Sequence, residues 1–289
     1  MSKQSSINSE AIYKDLFSSQ NFKTLLSKID SGEKRIPLSG LHGSSKYYLV
    51  SAIISATKKP VLFLSPTRKK AESASKNLSF FLPQPPAVLL RKEPGIGEAL
   101  FSSKSQFLKE RMNWLYCAMS GQPVIAEMGA LFERIIPRKS FDNFVIKIRK
   151  ADVLLREELI TRLKQTGYVE TDFVQGRGEI STRGAIVDIF SPGQNNPIRL
   201  EFIGDEVGSM RIFNIENQKS IERVENTVIL PASGIVLDQK SIDRAAKYIR
   251  TKAEEDGISA RNKLQIIEEI ERGERIPNME WLLPSFYPK

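Results

Sequence analysis

Gly40-Leu41-His42-Gly43-Ser44-Ser45-Lys46-Tyr47 carries glycines, hydroxyls and a lysine at nearly the spacing of a phosphate-binding loop. A working loop reads G-x-x-x-x-G-K-[ST]: the second glycine lets backbone amides approach the phosphates, and the Ser or Thr hydroxyl ligates Mg²⁺. Here Ser45 stands at the second glycine and Tyr47 at the hydroxyl position, so only Gly40 and Lys46 remain at diagnostic positions. A phenol is too long to hold Mg²⁺ in that geometry. The segment reads as a Gly/Ser-rich turn from a strand into a helix, with a residual anion site at the helix N-terminus as the alternative. Leu200–Glu206, LEFIGDE, is the nearest match to the apolar strand ending in Asp-Glu that completes an ATPase. Glu201 and Gly204 interrupt it, and Gly204-Asp205 reads better as a turn into a strand over Val207–Phe213.

Other catalytic constellations are thin. His42 is the one histidine and Cys117 the one cysteine, so the sequence offers neither a His-based triad nor a zinc cluster, and no cofactor or metal is expected. Glu157-Glu158 and Glu254-Glu255 are adjacent on helices and diverge around the axis, as a solvated face does. Trp114 and Trp281 read as core or interface anchors.

The elements that position these residues change character along the chain. The first third alternates: a helix over Ala11–Ile29, a strand at Arg35–Leu38, a helix over Lys46–Thr57, a buried strand at Pro60–Ser65, a helix over Thr67–Leu82, a strand at Ala87–Leu90, a helix over Lys104–Ser120 and an apolar strand at Pro123–Glu127. That rhythm predicts βαβ units and a mostly parallel sheet. After Pro137 one helix, Arg156–Thr166, is followed by strands with hairpin-length connections as far as Leu230. Helices then return at Lys240–Glu255 and Ala260–Glu271.

Gly176–Glu206 is the most patterned stretch. A short strand ends at Thr182-Arg183-Gly184, a second covers Ala185–Phe190, and Ser191–Pro197 is a turn by composition. In the third, Ile198, Leu200 and Phe202 point one way, while Arg199, Glu201 and Ile203 point the other. Arg183 is expected beside that second set. A mixed-charge face with an apolar residue suits a protein partner better than a catalytic centre. A surface turn arginine and a cross-strand salt bridge are the plainer alternatives, the latter contributing under about 1 kcal/mol.

A chain of 289 residues is more than one compact core usually takes. The single cysteine fits a reducing compartment. No apolar run reaches the roughly 20 residues of a membrane span, and the N-terminus lacks the apolar core of a signal peptide, so a cytoplasmic location is expected. The net charge of +9 permits nucleic-acid contact, but Lys and Arg are read as spread along the chain rather than clustered.

The run RGEISTRGAIVDIFSPG…PIRLEFIGDEVGSMRIFN resembles the UvrB-homology module of bacterial excision repair. That module occurs in the damage-verifying protein UvrB and in the transcription-repair coupling factors (Mfd), where it docks onto UvrA. The likeness extends over nearly the whole chain, including the loop at Gly40–Tyr47 and the LPASGIVLD segment. It implies an α/β fold: a degenerate helicase-like (RecA-like, P-loop-derived) domain in residues 1–141, an inserted β-rich α+β UvrA-binding domain in 142–232, and a return to the first domain in 233–289. It implies UvrA as partner, with RNA polymerase and DNA engaged through later domains of such a protein, no membrane, and at most weak nonspecific DNA contact by this segment. By the resemblance the docking residues are Arg183, Arg199, Glu201 and Ile203, then Phe202, Asp205 and Glu206, with Arg177 near the same edge. Where Ile203 stands the family commonly has an aromatic. UvrB itself has an intact P-loop and a DNA-clamping hairpin; Phe101–Tyr116 reads here as a helix. Two other readings stay open: a UvrB-like ATP-dependent damage-binding protein and a basic nucleic-acid-binding domain.

Overall fold

A computed structural model describes residues 9–91, 103–255, 260–272 and 279–287. The fold divides into two compact units, residues 1–92 with 117–132, and residues 93–116 with 133–289.

The first unit opens with α1 (Ser9–Ser18) and α2 (Gln20–Asp30). The sequence predicts one helix here. Ser19 divides it by adopting an extended conformation and accepting the Phe22 amide on its hydroxyl, as an N-cap does. Arg35–Leu38 is not a strand: Pro37 removes a ladder donor and Leu38 is exposed. The loop at Gly40–Ser45 therefore follows irregular chain. Next come α3 (Ser45–Thr57), β1 (Leu62–Ser65), α4 (Arg68–Phe81) and β2 (Ala87–Leu89). Helix α5 (Ser103–Met119) contains the division between the units and ends before Gly121, whose φ of +76° suits a helix stop. β3 (Val124–Glu127) lies between β1 and β2, and all pair in parallel as the βαβ rhythm predicts. β1 is an edge strand with Leu62 and Leu64 nearly half exposed, not the buried strand expected. Its Phe63 packs against the core of Tyr47, Ala71, Ala74, Leu78 and Ile125, and Ser65, on the same side of the strand, is buried as well.

The second unit is built on antiparallel pairing. After α6 (Arg138–Phe144), β4 (Ile146–Arg149) pairs with a distant strand, and α7 (Arg156–Gln165) buries Leu159, Ile160 and Leu163. There follow β5 (Val169–Glu170), β6 (Glu179–Arg183), β7 (Ile186–Ile189), β8 (Ile198–Ile203), β9 (Glu206–Phe213), β10 (Ser220–Arg223) and β11 (Asn226–Ile229), the partner of β4. The six-stranded sheet runs β10-β9-β8-β7-β6-β5, antiparallel except for the β5–β6 pair. Its inner face joins α7 in one core, all of whose buried members lie between Ile146 and Ala232.

Residues 233–289 were expected to rejoin the first domain; they belong to the second unit. The Leu237 amide donates to the Gln165 carbonyl at 3.1 Å, and those of Ala232 and Ser233 donate to Thr166, so this segment leaves the sheet tied to the end of α7. It continues as α8 (Gln239–Glu255), α9 (Ala260–Glu271) and α10 (Leu283–Phe286). The Tyr287 hydroxyl donates to the Gly234 carbonyl at 2.6 Å. Residues 103–116 and 133–141, expected in the first domain, also lie in the second unit. Trp114 is buried there, while the side chain of Trp281 falls outside the described residues.

Tyr168 fastens the end of the sheet core. Its hydroxyl donates to the Leu230 carbonyl at 2.6 Å, and burial pushes its phenol pKa up. Tyr168→Phe keeps the ring but leaves a buried carbonyl short of a donor, so it should cost about 1 kcal/mol or more in urea denaturation. An unchanged midpoint would show that the hydroxyl contributes nothing.

Candidate protein-docking face

The outer face of the sheet is assembled by register. Arg183 lies opposite Ile186, which lies opposite Glu201, which lies opposite Ser209. One row along, Ser181, Asp188, Arg199 and Arg211 stand in line. Arg183 and Ile186 are joined by the two-residue turn Gly184-Ala185, with Gly184 at φ +55°, a conformation that glycine enters without a Cβ clash.

At the centre is a residue the resemblance did not single out. Asp188, 1% exposed, points to this outer face from an otherwise apolar strand. Arg199 donates to both of its oxygens, Nε to Oδ1 at 2.7 Å and a terminal nitrogen to Oδ2 at 2.8 Å. Arg183 donates to Oδ2 at 3.0 Å. Charge-assisted bonds from two strands fix both guanidiniums. Each also lies against an aromatic ring, Arg183 4.7 Å from the centre of Phe173 and Arg199 4.6 Å from that of Phe213. The hydrogen bonds to Asp188 hold the Arg199 pKa above its ordinary value, against desolvation. Two arginines on one carboxylate leave net positive charge, and the Arg183 side chain is 42% exposed.

Glu201 forms the neighbouring pair. It accepts from Ser209 at 2.9 Å and from Arg211 at 2.5 Å, bonds that lower its pKa. The expected cross-strand salt bridge thus exists twice, but with Asp188 and Arg211 as partners rather than between Arg199 and Glu201.

Ile203 closes the face at the β8–β9 turn, at its edge rather than its centre. It is 74% exposed, and its side chain lies over Gly208, where an added Cβ would come within 2.6 Å of Ile203 Cδ1. Gly208 stands in a β-bulge. Glu206 pairs with Ile203 and also bridges to Val153, which is 81% exposed, so Ile203, Glu206 and Val153 form an exposed row. Asp205 is exposed in the turn, and its main-chain carbonyl accepts the Leu154 amide at 2.7 Å.

Two expected docking residues lie elsewhere. Phe202 is 4% exposed and belongs to the inner core, as strand alternation requires. Arg177 sits beyond the opposite end of the β6–β7 pair, its Nε donating to the Gln194 carbonyl at 2.9 Å and its guanidinium over Phe190.

The loop at Gly40–Tyr47 has its own geometry. Gly40 and Gly43 take φ of +75° and +56° with open space around them. The Ser45 hydroxyl donates to the His42 carbonyl at 2.7 Å, and His42 is exposed in the turn. The Tyr47 ring is buried against Phe63, with Lys46 Nζ 5.0 Å from its centre. The position that would offer a metal-ligating hydroxyl is therefore filled by a core side chain. Among the described residues no cluster of His, Cys, Asp and Glu could hold a metal ion, and no helix is long and apolar enough to cross a membrane.

All the residues of the arginine face lie within one recognisable segment. Residues 146–234 match the family model of the UvrB interaction domain. The matched segment coincides with the strands β4 to β11 and their shared core. Curated relatives extend the likeness to both sides of it. The chain is 28% identical over 261 residues, 90% of its length, to the transcription-repair-coupling factor of Escherichia coli, and 27% identical over 233 residues to that of Bacillus subtilis. It is 27% identical over 257 residues to UvrABC system protein B of Fervidobacterium nodosum. It spans 22% and 20% of the two coupling factors and 38% of the UvrABC protein.

Proposed function

We propose that this chain is the adaptor portion of a transcription-repair coupling factor, docking UvrA and so bringing nucleotide excision repair to lesions that stall RNA polymerase. The observation that carries the reading is the pair of arginines, Arg183 and Arg199, fixed on Asp188 at the surface of the segment that matches the UvrB interaction domain. Preorganised guanidiniums lose little freedom on binding, and arginines are frequent hot spots. Glu201, Ile203, Glu206 and Asp205 extend this face. Immobilised UvrA should retain the chain from solution at physiological salt, and no retention would remove the proposal.

In this reading residues 142–232 are a folding unit of their own, because among the described residues the buried side chains of the sheet core all lie within Ile146–Ala232. Expressed alone, that fragment should give a cooperative thermal transition and slowly exchanging amides in β6 to β9. A fragment without protected amides would contradict the boundary.

The segment before it is a degenerate helicase-like domain that does not turn over ATP. The burial of Tyr47 and the serine at position 45 support this. Steady-state hydrolysis with Mg²⁺-ATP, with and without DNA, should stay at background. Turnover abolished by Lys46→Ala would favour the second reading, a UvrB-like ATP-dependent enzyme, to which the likeness to UvrABC system protein B gives some support.

A further inference from the structure

The whole net charge of the protein resides in one of its two units. Residues 1–92 and 117–132 contain 15 Lys and Arg against 6 Asp and Glu, a balance of +9. The remainder contains 28 of each, a balance of zero, which together restores the 43 and 34 of the full chain. Lys and Arg occur along the whole sequence, but acids are scarce in residues 1–92, which hold all 15 of this unit's bases.

A third of the excess, +3 of the +9, lies on α4. That helix carries Arg68, Lys69, Lys70 and Lys76 with Glu72 as its single acid. Its buried side, Ala71, Ala74 and Leu78, faces the core, which leaves Lys69, Lys70 and Lys76 exposed. Lys69 and Lys76 are two helical turns apart, about 10 Å along the axis, the length of roughly three nucleotide steps of one DNA strand. The Ser44 hydroxyl donates to Asn77 Oδ1 at 3.0 Å and holds the first turn of α3, with exposed Lys46, beside the same helix. No aromatic residue stands between Lys69 and Lys76, exposed Phe80 lying one turn beyond, and the lysines offer phosphates point charges with exposed Glu72 as the one acid among them.

We propose that the exposed lysine face of α4, with Lys46, is a docking surface for the phosphate backbone of duplex DNA, read without regard to sequence. Charge complementarity argues the partner: a duplex is a uniform line of negative charge, and lysines that neutralise it gain by releasing counterions. The surface shares no residue with the arginine face of the β-rich unit. It stands whether or not that face docks UvrA.

The test uses the full chain and a fluorescein-labelled 20-base-pair duplex of arbitrary sequence, followed by anisotropy from 20 to 200 mM salt. The wild type should bind with an affinity that falls steeply with salt. The triple variant Lys69→Gln, Lys70→Gln, Lys76→Gln should lose about tenfold or more at the lowest salt, with a log–log salt slope shallower by about 2 to 3 units. The control triple Lys147→Gln, Lys219→Gln, Lys240→Gln removes as much charge from exposed positions of the other unit and should bind nearly as the wild type does. Equal losses in both triples would mean that bulk charge, not this face, attracts DNA, and would overturn the proposal, as would no binding at 20 mM salt. Poly-glutamate bound as tightly as duplex, with the same loss in the α4 triple, would assign the face to an acidic protein and overturn it as well.

Discussion

Asp188→Ala should lower the stability of the β-rich unit by about 3 kcal/mol, the lower end of what breaking a buried ion pair costs. Asp188 is almost fully buried and holds two guanidiniums on two strands. Without it, Arg199, whose side chain is 20% exposed, keeps its charge beside only the neutral Gln218 oxygen at 3.2 Å and the Phe213 ring. The cost stays below the upper range because Arg183 is open enough to hydrate. Asp188→Asn should cost less, since an amide oxygen still accepts. Urea denaturation of the two variants measures both effects, and a midpoint unchanged in Asp188→Ala would show that the carboxylate does not organise the face.

Arg199→Ala should weaken UvrA binding by about 2 kcal/mol or more, roughly thirtyfold. The same substitution should also lower the melting temperature, because it leaves Asp188 buried with a single partner. Arg183→Ala is the cleaner probe. Its side chain makes one bond to Asp188, is more exposed, and can leave while Arg199 still satisfies both oxygens. The expected pattern is thus unequal: both variants lose affinity, and only Arg199→Ala loses appreciable stability. Surface plasmon resonance beside thermal melts separates the two. Equal melting temperatures for both variants would contradict the bidentate geometry.

Much of this face was legible in the sequence. The alternation of Ile198 to Ile203 fixed which side chains point outward, and the T-R-G turn placed Arg183 near Arg199. Phe202 was legible too: the same alternation turns it inward, and only the resemblance drew it into the docking set. Asp188 was missed because the run IVDIF reads as a buried apolar strand. Its signal was a lone acid in the outward phase of that strand, between two arginines. Nothing local marks Phe173, which meets Arg183 through tertiary packing. The tie between the start of 233–289 and the end of α7 was not legible for a related reason: it is made by backbone bonds from Ala232, Ser233 and Leu237, and backbone groups carry no sequence signature. Arg35–Leu38 shows the opposite case, where Pro37 was visible and outweighed the apolar pattern.

The most direct measurement is a titration of purified UvrA with the wild-type chain and with Arg183→Ala, each checked for an unaltered melting temperature. The account predicts saturable binding by the wild type and roughly thirtyfold weaker binding by the variant at equal stability. Wild-type affinity in a folded Arg183→Ala, or no binding by the wild type, would contradict it.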